Sequence, residues 1–126
     1  MDITMIHHIS LKTKDLKKAK QFYGDILGLE EENRPDFSFA GAWYRIGDYQ
    51  QLHLIEDPEF VYNPELHIDT RGNHVAFRVK DFQETSDHLK ASGVDIKEKP
   101  DSTSGFAQIF CCDPDGHIIE FHVPQQ

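Results

Sequence analysis

Hydrophobic and polar positions alternate most cleanly between Gly72 and Asp81, where Asn73, Val75, Phe77 and Val79 fall on one side and His74, Ala76 and Arg78 on the other. A period of two over this length predicts a strand with one face on a core and the other free. The stretch from His8 to Asp15 has the same form: His8 corresponds to His74, Leu11 to Phe77, Lys14 to Lys80 and Asp15 to Asp81. The pattern that follows also repeats. Asp15 is placed to cap a helix in which Leu16, Ala19, Phe22, Tyr23, Ile26 and Leu27 recur at helical spacing before Gly28 stops it. Asp81 does the same for a second helix carrying Phe82, Thr85 and Leu89, stopped by Gly93.

Shorter segments complete each half. The first strand is expected from Met5 to Thr13. After its helix come a short strand at Leu29–Asn33, an aromatic strand at Phe37–Ile46, a turn at Gly47-Asp48 and a hairpin partner at Gln50–Glu56. In that partner Leu52 and Leu54 face inward, with Gln51, His53 and Ile55 opposite. In the second half, Val94–Lys99, Phe106–Cys112 and His117–Val123 read as strands, the last two joined by the turn Asp113-Pro114-Asp115-Gly116. Between the halves, residues 58–71 contain Pro58 and Pro64 and no sustained period, which reads as a linker or lid. The expected fold is therefore α+β: a single domain over 1–126 built from two tandem β-α-β-β-β modules, about 4–57 and about 72–124.

Composition narrows the partners. A chain of 126 residues with 28% charged and 38% hydrophobic residues is ordinary for one globular domain. The formal net charge of −9 argues against nucleic acid and against an anionic membrane surface. It does not argue against a small ligand in a locally basic pocket. The opening MDITMIHHIS lacks a basic region followed by a long apolar run, and no apolar stretch approaches bilayer length. Cys111 and Cys112 are neighbours, so a disulfide between them is sterically poor. Both observations favour a reducing, cytoplasmic setting, with the cysteines as small buried hydrophobes rather than a metal ligand or nucleophile.

The repeat brings out the candidate chemistry. Leu52-His53-Leu54 in the first half corresponds to Ile119-Glu120-Phe121 in the second, as His8 does to His74. Four equivalent positions thus hold His8, His53, His74 and Glu120, each opposite an apolar strand face. Three imidazoles and a carboxylate suit one divalent ion such as zinc, nickel, manganese or iron. A lone strand histidine is more often a hydrogen-bonding partner than a ligand, but Glu120 in a hydrophobic strand needs a cation or donors. His53 is the least specific of the four. Arg78 shares the face of His74 and is either an ordinary salt-bridge partner or an anchor for a carboxylate or phosphate on the ligand. His122 shares the face of Glu120 as a lining or supporting residue, and Trp43, with Phe37 and Phe39, is a candidate cavity wall.

The motifs HHISLKTKDLKKAKQFYGDILGL, QLHLIE, GNHVAFRV and DPDGHIIEFH resemble those of the vicinal oxygen chelate superfamily. That superfamily includes glyoxalase I, fosfomycin-resistance proteins, methylmalonyl-CoA epimerase, extradiol dioxygenases and metal-free bleomycin-resistance proteins. The resemblance implies a cupped mixed sheet around one site. It carries ligand roles onto His8, His74 and Glu120, with His53 compatible with a fourth. It also implies a small-molecule lyase or isomerase of glyoxalase type, using the metal to stabilise an enediolate-like oxyanion, with Glu120 doubling as the catalytic base. Arg78, Trp43 and His122 would contact the substrate. The alternative it leaves open is a bleomycin- or fosfomycin-resistance-like protein that binds a drug or transfers a thiol. A homodimer is expected in either case.

Overall fold

The computed structural model describes residues 1–126. The chain forms two compact units, Met1–Val61 and Tyr62–Gln126, and the boundary falls within the proline-containing stretch between the sequence repeats.

In the first unit, β1 (His8–Thr13), β2 (Glu30–Glu32), β3 (Gly41–Ile46) and β4 (Gln50–Glu56) make one mixed sheet in the order β1-β4-β3-β2. β1 runs parallel to β4, and the other pairs are antiparallel. Helix α1 (Leu16–Lys20) follows β1, with the Asp15 side chain accepting from the Lys18 N–H. The helix does not stay α-helical. From Gln21 to Ile26 it opens into a π-helix, with the Leu27 N–H reaching the Phe22 carbonyl at 2.9 Å. Gly28, at φ 75°, takes the left-handed conformation that ends it. Ala19, Phe22 and Tyr23 are buried, as are Ala42, Tyr44, Leu52 and Leu54 of the sheet. α1 packs on β4, so these residues form the apolar core of the unit.

The second unit repeats the plan with β5 (His74–Arg78), α2 (Phe82–Ala91), β6 (Lys97–Lys99), β7 (Phe106–Cys112) and β8 (Ile118–Pro124). Its sheet has the order β5-β8-β7-β6, and β5 is parallel to β8. Asp81 caps α2 by accepting from the Glu84 N–H at 2.8 Å. The helix packs against β7 and β8, burying Leu89 and Ser86, while Ile109, Cys111, Ile119 and Phe121 are buried in the sheet. Two four-stranded mixed sheets, each with a helix on one face, make an α+β fold.

Some strand ends differ from the sequence reading. β1 begins at His8 rather than Met5, because its partner β4 begins at Gln50 and the register starts at His8 opposite Gln51. Ile6 and Met5 lie beyond it and are exposed. β3 begins at Gly41 rather than Phe37. Phe37 and Phe39 instead stack on each other at 4.9 Å, with the Arg34 guanidinium 4.8 Å from the Phe37 ring. Aromatic residues there satisfy one another locally and do not join the ladder. β5 and β6 are likewise shorter than the alternation suggests.

Candidate functional site

Strand pairing decides which side chains share a face. In the second unit, Ala76 lies opposite Glu120 and Arg78 opposite His122, and on the other side of β8 Phe110 lies opposite Glu120 and Gln108 opposite His122. His74, Glu120, His122, Arg78 and Gln108 therefore lie on the sheet face away from α2. The Glu120 side chain is 6% exposed, and its Oε1 is 3.1 Å from His74 Nε2. Its Oε2 accepts from Gln108 Nε2 at 3.2 Å. His74 Nδ1 donates to the Gly72 carbonyl at 2.8 Å.

Those bonds determine what the pair can hold. A carbonyl only accepts, so Nδ1 carries the proton of a neutral His74 and Nε2 carries the lone pair. That lone pair then faces an oxygen of the buried Glu120 carboxylate, which is repulsive unless a positive charge lies between or beside them. Either a proton on the imidazole or a metal cation supplies it. Neutral imidazole, buried carboxylate and a backbone carbonyl on the far ring nitrogen are also the donor set that orients histidine for a divalent metal. His74 and Glu120 supply two donors of that kind, and no group of three or more His, Cys, Asp or Glu side chains is gathered in the structure.

In the first unit, His8 on β1 and His53 on β4 also come together. Their rings stack at 4.2 Å and 15°, and the far face of His53 stacks on Trp43 at 4.2 Å and 6°. His53 is buried and His8 exposed. Burial, and then the neighbouring His8, His7 and Arg34, hold the His53 pKa below its ordinary value, which favours the neutral, metal-binding form. His53 Nε2 is 2.8 Å from Gln51 Oε1, and Gln51 Nε2 donates to Glu32 Oε1 at 3.0 Å.

The expected metal ligands thus resolve into two pairs, His74 with Glu120 in one unit and His8 with His53 in the other. Arg78 is at the end of β5. Its guanidinium lies 5.6 Å from the Phe106 ring rather than against a carboxylate. His122 meets the same ring edge-on at 4.5 Å, and its buried Nδ1 has no hydrogen-bond partner. Trp43 is the stacking partner of a candidate ligand. Burial raises the thiol pKa of Cys111 to about 12 and of Cys112 to about 11, so neither is a ready thiolate. Sequence reasoning passed over Gln108, Gln51 and Glu32, the side chains that hold the candidate ligands. The signal for Gln51 was its place two residues before His53 on the same face; nothing in the sequence singles out Gln108 or Glu32.

Two four-stranded mixed sheets in a repeated β-α-β-β-β plan define a glyoxalase-like class of fold. The sequence model of the Glyoxalase/Bleomycin resistance protein/Dioxygenase superfamily matches residues 5–121, and the chain belongs to that superfamily. Among curated relatives, it is 34% identical to the metallothiol transferase FosB of Staphylococcus epidermidis, over 97% of this chain and 83% of the relative. It is 31% identical to a probable lactoylglutathione lyase of Vibrio parahaemolyticus, over 91% of this chain and 87% of the relative. Among solved structures, a glyoxalase/dioxygenase from Nostoc punctiforme superposes with a TM-score of 0.81 at 28% identity, covering 97% of this chain and 92% of that one.

Proposed function

We propose that the protein is a metal-dependent enzyme of glyoxalase type, a lyase or isomerase of a small dicarbonyl or hydroxycarbonyl compound. The observation that carries this reading is the pairing of the buried Glu120 carboxylate with His74 Nε2 at 3.1 Å, a carboxylate and an imidazole of the kinds a divalent ion takes as ligands. In the second unit His74 and Glu120 would hold a divalent ion, zinc, nickel, manganese or iron, and His8 and His53 are the corresponding candidate ligands in the first. Bound there, the ion would act as a Lewis acid toward neighbouring substrate oxygens and stabilise an enediolate-like oxyanion. Glu120 would also take the substrate proton as general base. The Gln108 amide keeps its second oxygen oriented while the first is engaged. Arg78 and His122 would bind the distal, anionic part of the substrate, and Trp43 would keep His53 in place.

One observation favours a second reading, thiol transfer to an anionic small molecule. Arg78 lies over an aromatic ring with no carboxylate against its guanidinium, beside a relative named as a metallothiol transferase. We further propose one domain over 1–126, a homodimer and a cytoplasmic setting. No helix is long and apolar enough to cross a membrane.

The test is elemental analysis of protein purified without chelators, followed by turnover assays on hemithioacetals and on fosfomycin with a thiol. Stoichiometric metal with hemithioacetal turnover supports the first reading. Metal with thiol transfer alone selects the second, and protein that neither carries nor takes up metal overturns both.

A further inference from the structure

The rings around His53 contain a chain of polar contacts that the proposed reaction does not use. Glu32 on β2 sits opposite Trp43, and Trp43 sits opposite His53, so the three lie in one row across the sheet. Gln51 is in the next row, opposite Arg45 on one side and His8 on the other. Arg45 Nε approaches Glu32 Oε2 at 3.5 Å, and Gln51 Nε2 donates to Glu32 Oε1 at 3.0 Å. Gln51 Oε1 then faces His53 Nε2 at 2.8 Å.

We propose that Gln51, oriented by Glu32, is a positioning residue that locks neutral His53 in its Nε2–H tautomer, so that Nδ1 is the nitrogen His53 offers to a metal. The argument is one of donors and acceptors. An ionised carboxylate only accepts, so the group of Gln51 nearest Glu32 is its NH2. Flipping the amide would set its carbonyl oxygen against a carboxylate oxygen and lose that bond. With the amide so fixed, the oxygen beside His53 only accepts, and His53 Nε2 must donate. A neutral imidazole has one ring proton, which leaves the lone pair on Nδ1. The ring cannot easily turn to exchange its nitrogens, because Trp43 and His8 each stack on it at 4.2 Å. Glu32 and Gln51 would thus do for His53 what the Gly72 carbonyl does for His74, with the opposite nitrogen exposed.

The tautomer stands on this network alone; its consequence for metal binding rests on the proposed function. Long-range ¹H–¹⁵N correlation of metal-free, ¹⁵N-labelled protein at about pH 8, where an unperturbed imidazole is neutral, reads the tautomer directly, with His53→Asn to assign the signals. Proton on Nε2 is expected. Proton on Nδ1, or an even mixture, overturns the proposal. Gln51→Leu should release the ring into a mixture and weaken zinc binding by about tenfold or more. The exchange variant E32Q/Q51E, in which carboxylate and amide trade places, should restore both. A single Nε2–H tautomer that survives Gln51→Leu shows that Gln51 is not the positioning residue. On adding zinc, the His53 Nδ1 resonance should move while the Nε2 proton stays; loss of the Nε2 proton overturns the assignment of the metal-binding nitrogen. Absence of any zinc response at both His53 and His74, with the metal-free tautomer as stated, defeats the metal reading and leaves the tautomer assignment standing.

Discussion

At the scale of single residues, charge separates the candidate ligands. Glu120 is the one anion among them and is buried, so Glu120→Gln removes the charge that offsets a divalent ion where water cannot replace it. We expect it to weaken metal binding by at least ~100-fold, more than the loss a removed supporting contact causes. Turnover should stay low even at saturating metal, because an amide cannot accept the substrate proton. His53→Gln keeps a neutral donor and should cost less on both counts. Calorimetric metal titration with parallel assays checks this, and a larger loss at His53 with metal fully bound would reverse the assignment. His53 also makes a pH prediction. Its pKa in the folded, metal-free protein lies below the ordinary 6.5. As pH falls through about 6.5, the unfolded chain therefore takes up the proton first and stability drops until the folded value is passed. His53→Asn should flatten that part of a plot of melting temperature against pH.

Elements owe their boundaries to a few local contacts. Asp81 accepts the Glu84 N–H at the start of α2, so Asp81→Ala should cost about 1 kcal/mol in urea unfolding, the usual worth of such a cap. Gly116 closes the β7–β8 turn at φ 89°, and a Cβ there would run into the backbone of Asn63. Gly116→Ala combines a disfavoured backbone with a steric overlap, and should destabilise by about 1–3 kcal/mol or more. That turn sets the register that places Glu120 opposite Phe110, so the variant should also weaken metal binding, whereas Asp81→Ala should leave it unchanged.

For the whole molecule, the proposed metal ties the fold to the site. Ligands gathered only in the folded state make binding free energy part of folding free energy. At a metal concentration hundredfold above Kd the gain is about 2.7 kcal/mol, and a chelator should therefore lower the melting temperature by roughly 10 °C for a chain of this size. An unchanged melting curve, with no metal by elemental analysis, would remove the basis for the site. Trp43 is the single tryptophan and stacks on His53, so metal titration should also change its fluorescence; a silent titration would separate His53 from the metal.

The alternation from Gly72 to Asp81 and its echo from His8 were enough to read two repeated modules, their helices and caps, and the strand faces of His8, His53, His74 and Glu120. These depend on the period of two, on helical spacing and on capping residues, all of them local properties of the chain. Pairing between distant strands decided the rest. It started β1 at His8, left Phe37 and Phe39 stacked outside β3, and set His74 Nε2 against Glu120. It also brought Gln108 to Glu120 and Gln51 to both Glu32 and His53. Which nitrogen of a histidine carries its proton depends on the hydrogen-bond partner opposite it. In this protein those partners are a carbonyl two residues before His74 and, for His53, an amide held by a carboxylate from another strand. Periodicity assigns each candidate ligand to a face of the sheet, but only the tertiary structure selects the atom it presents.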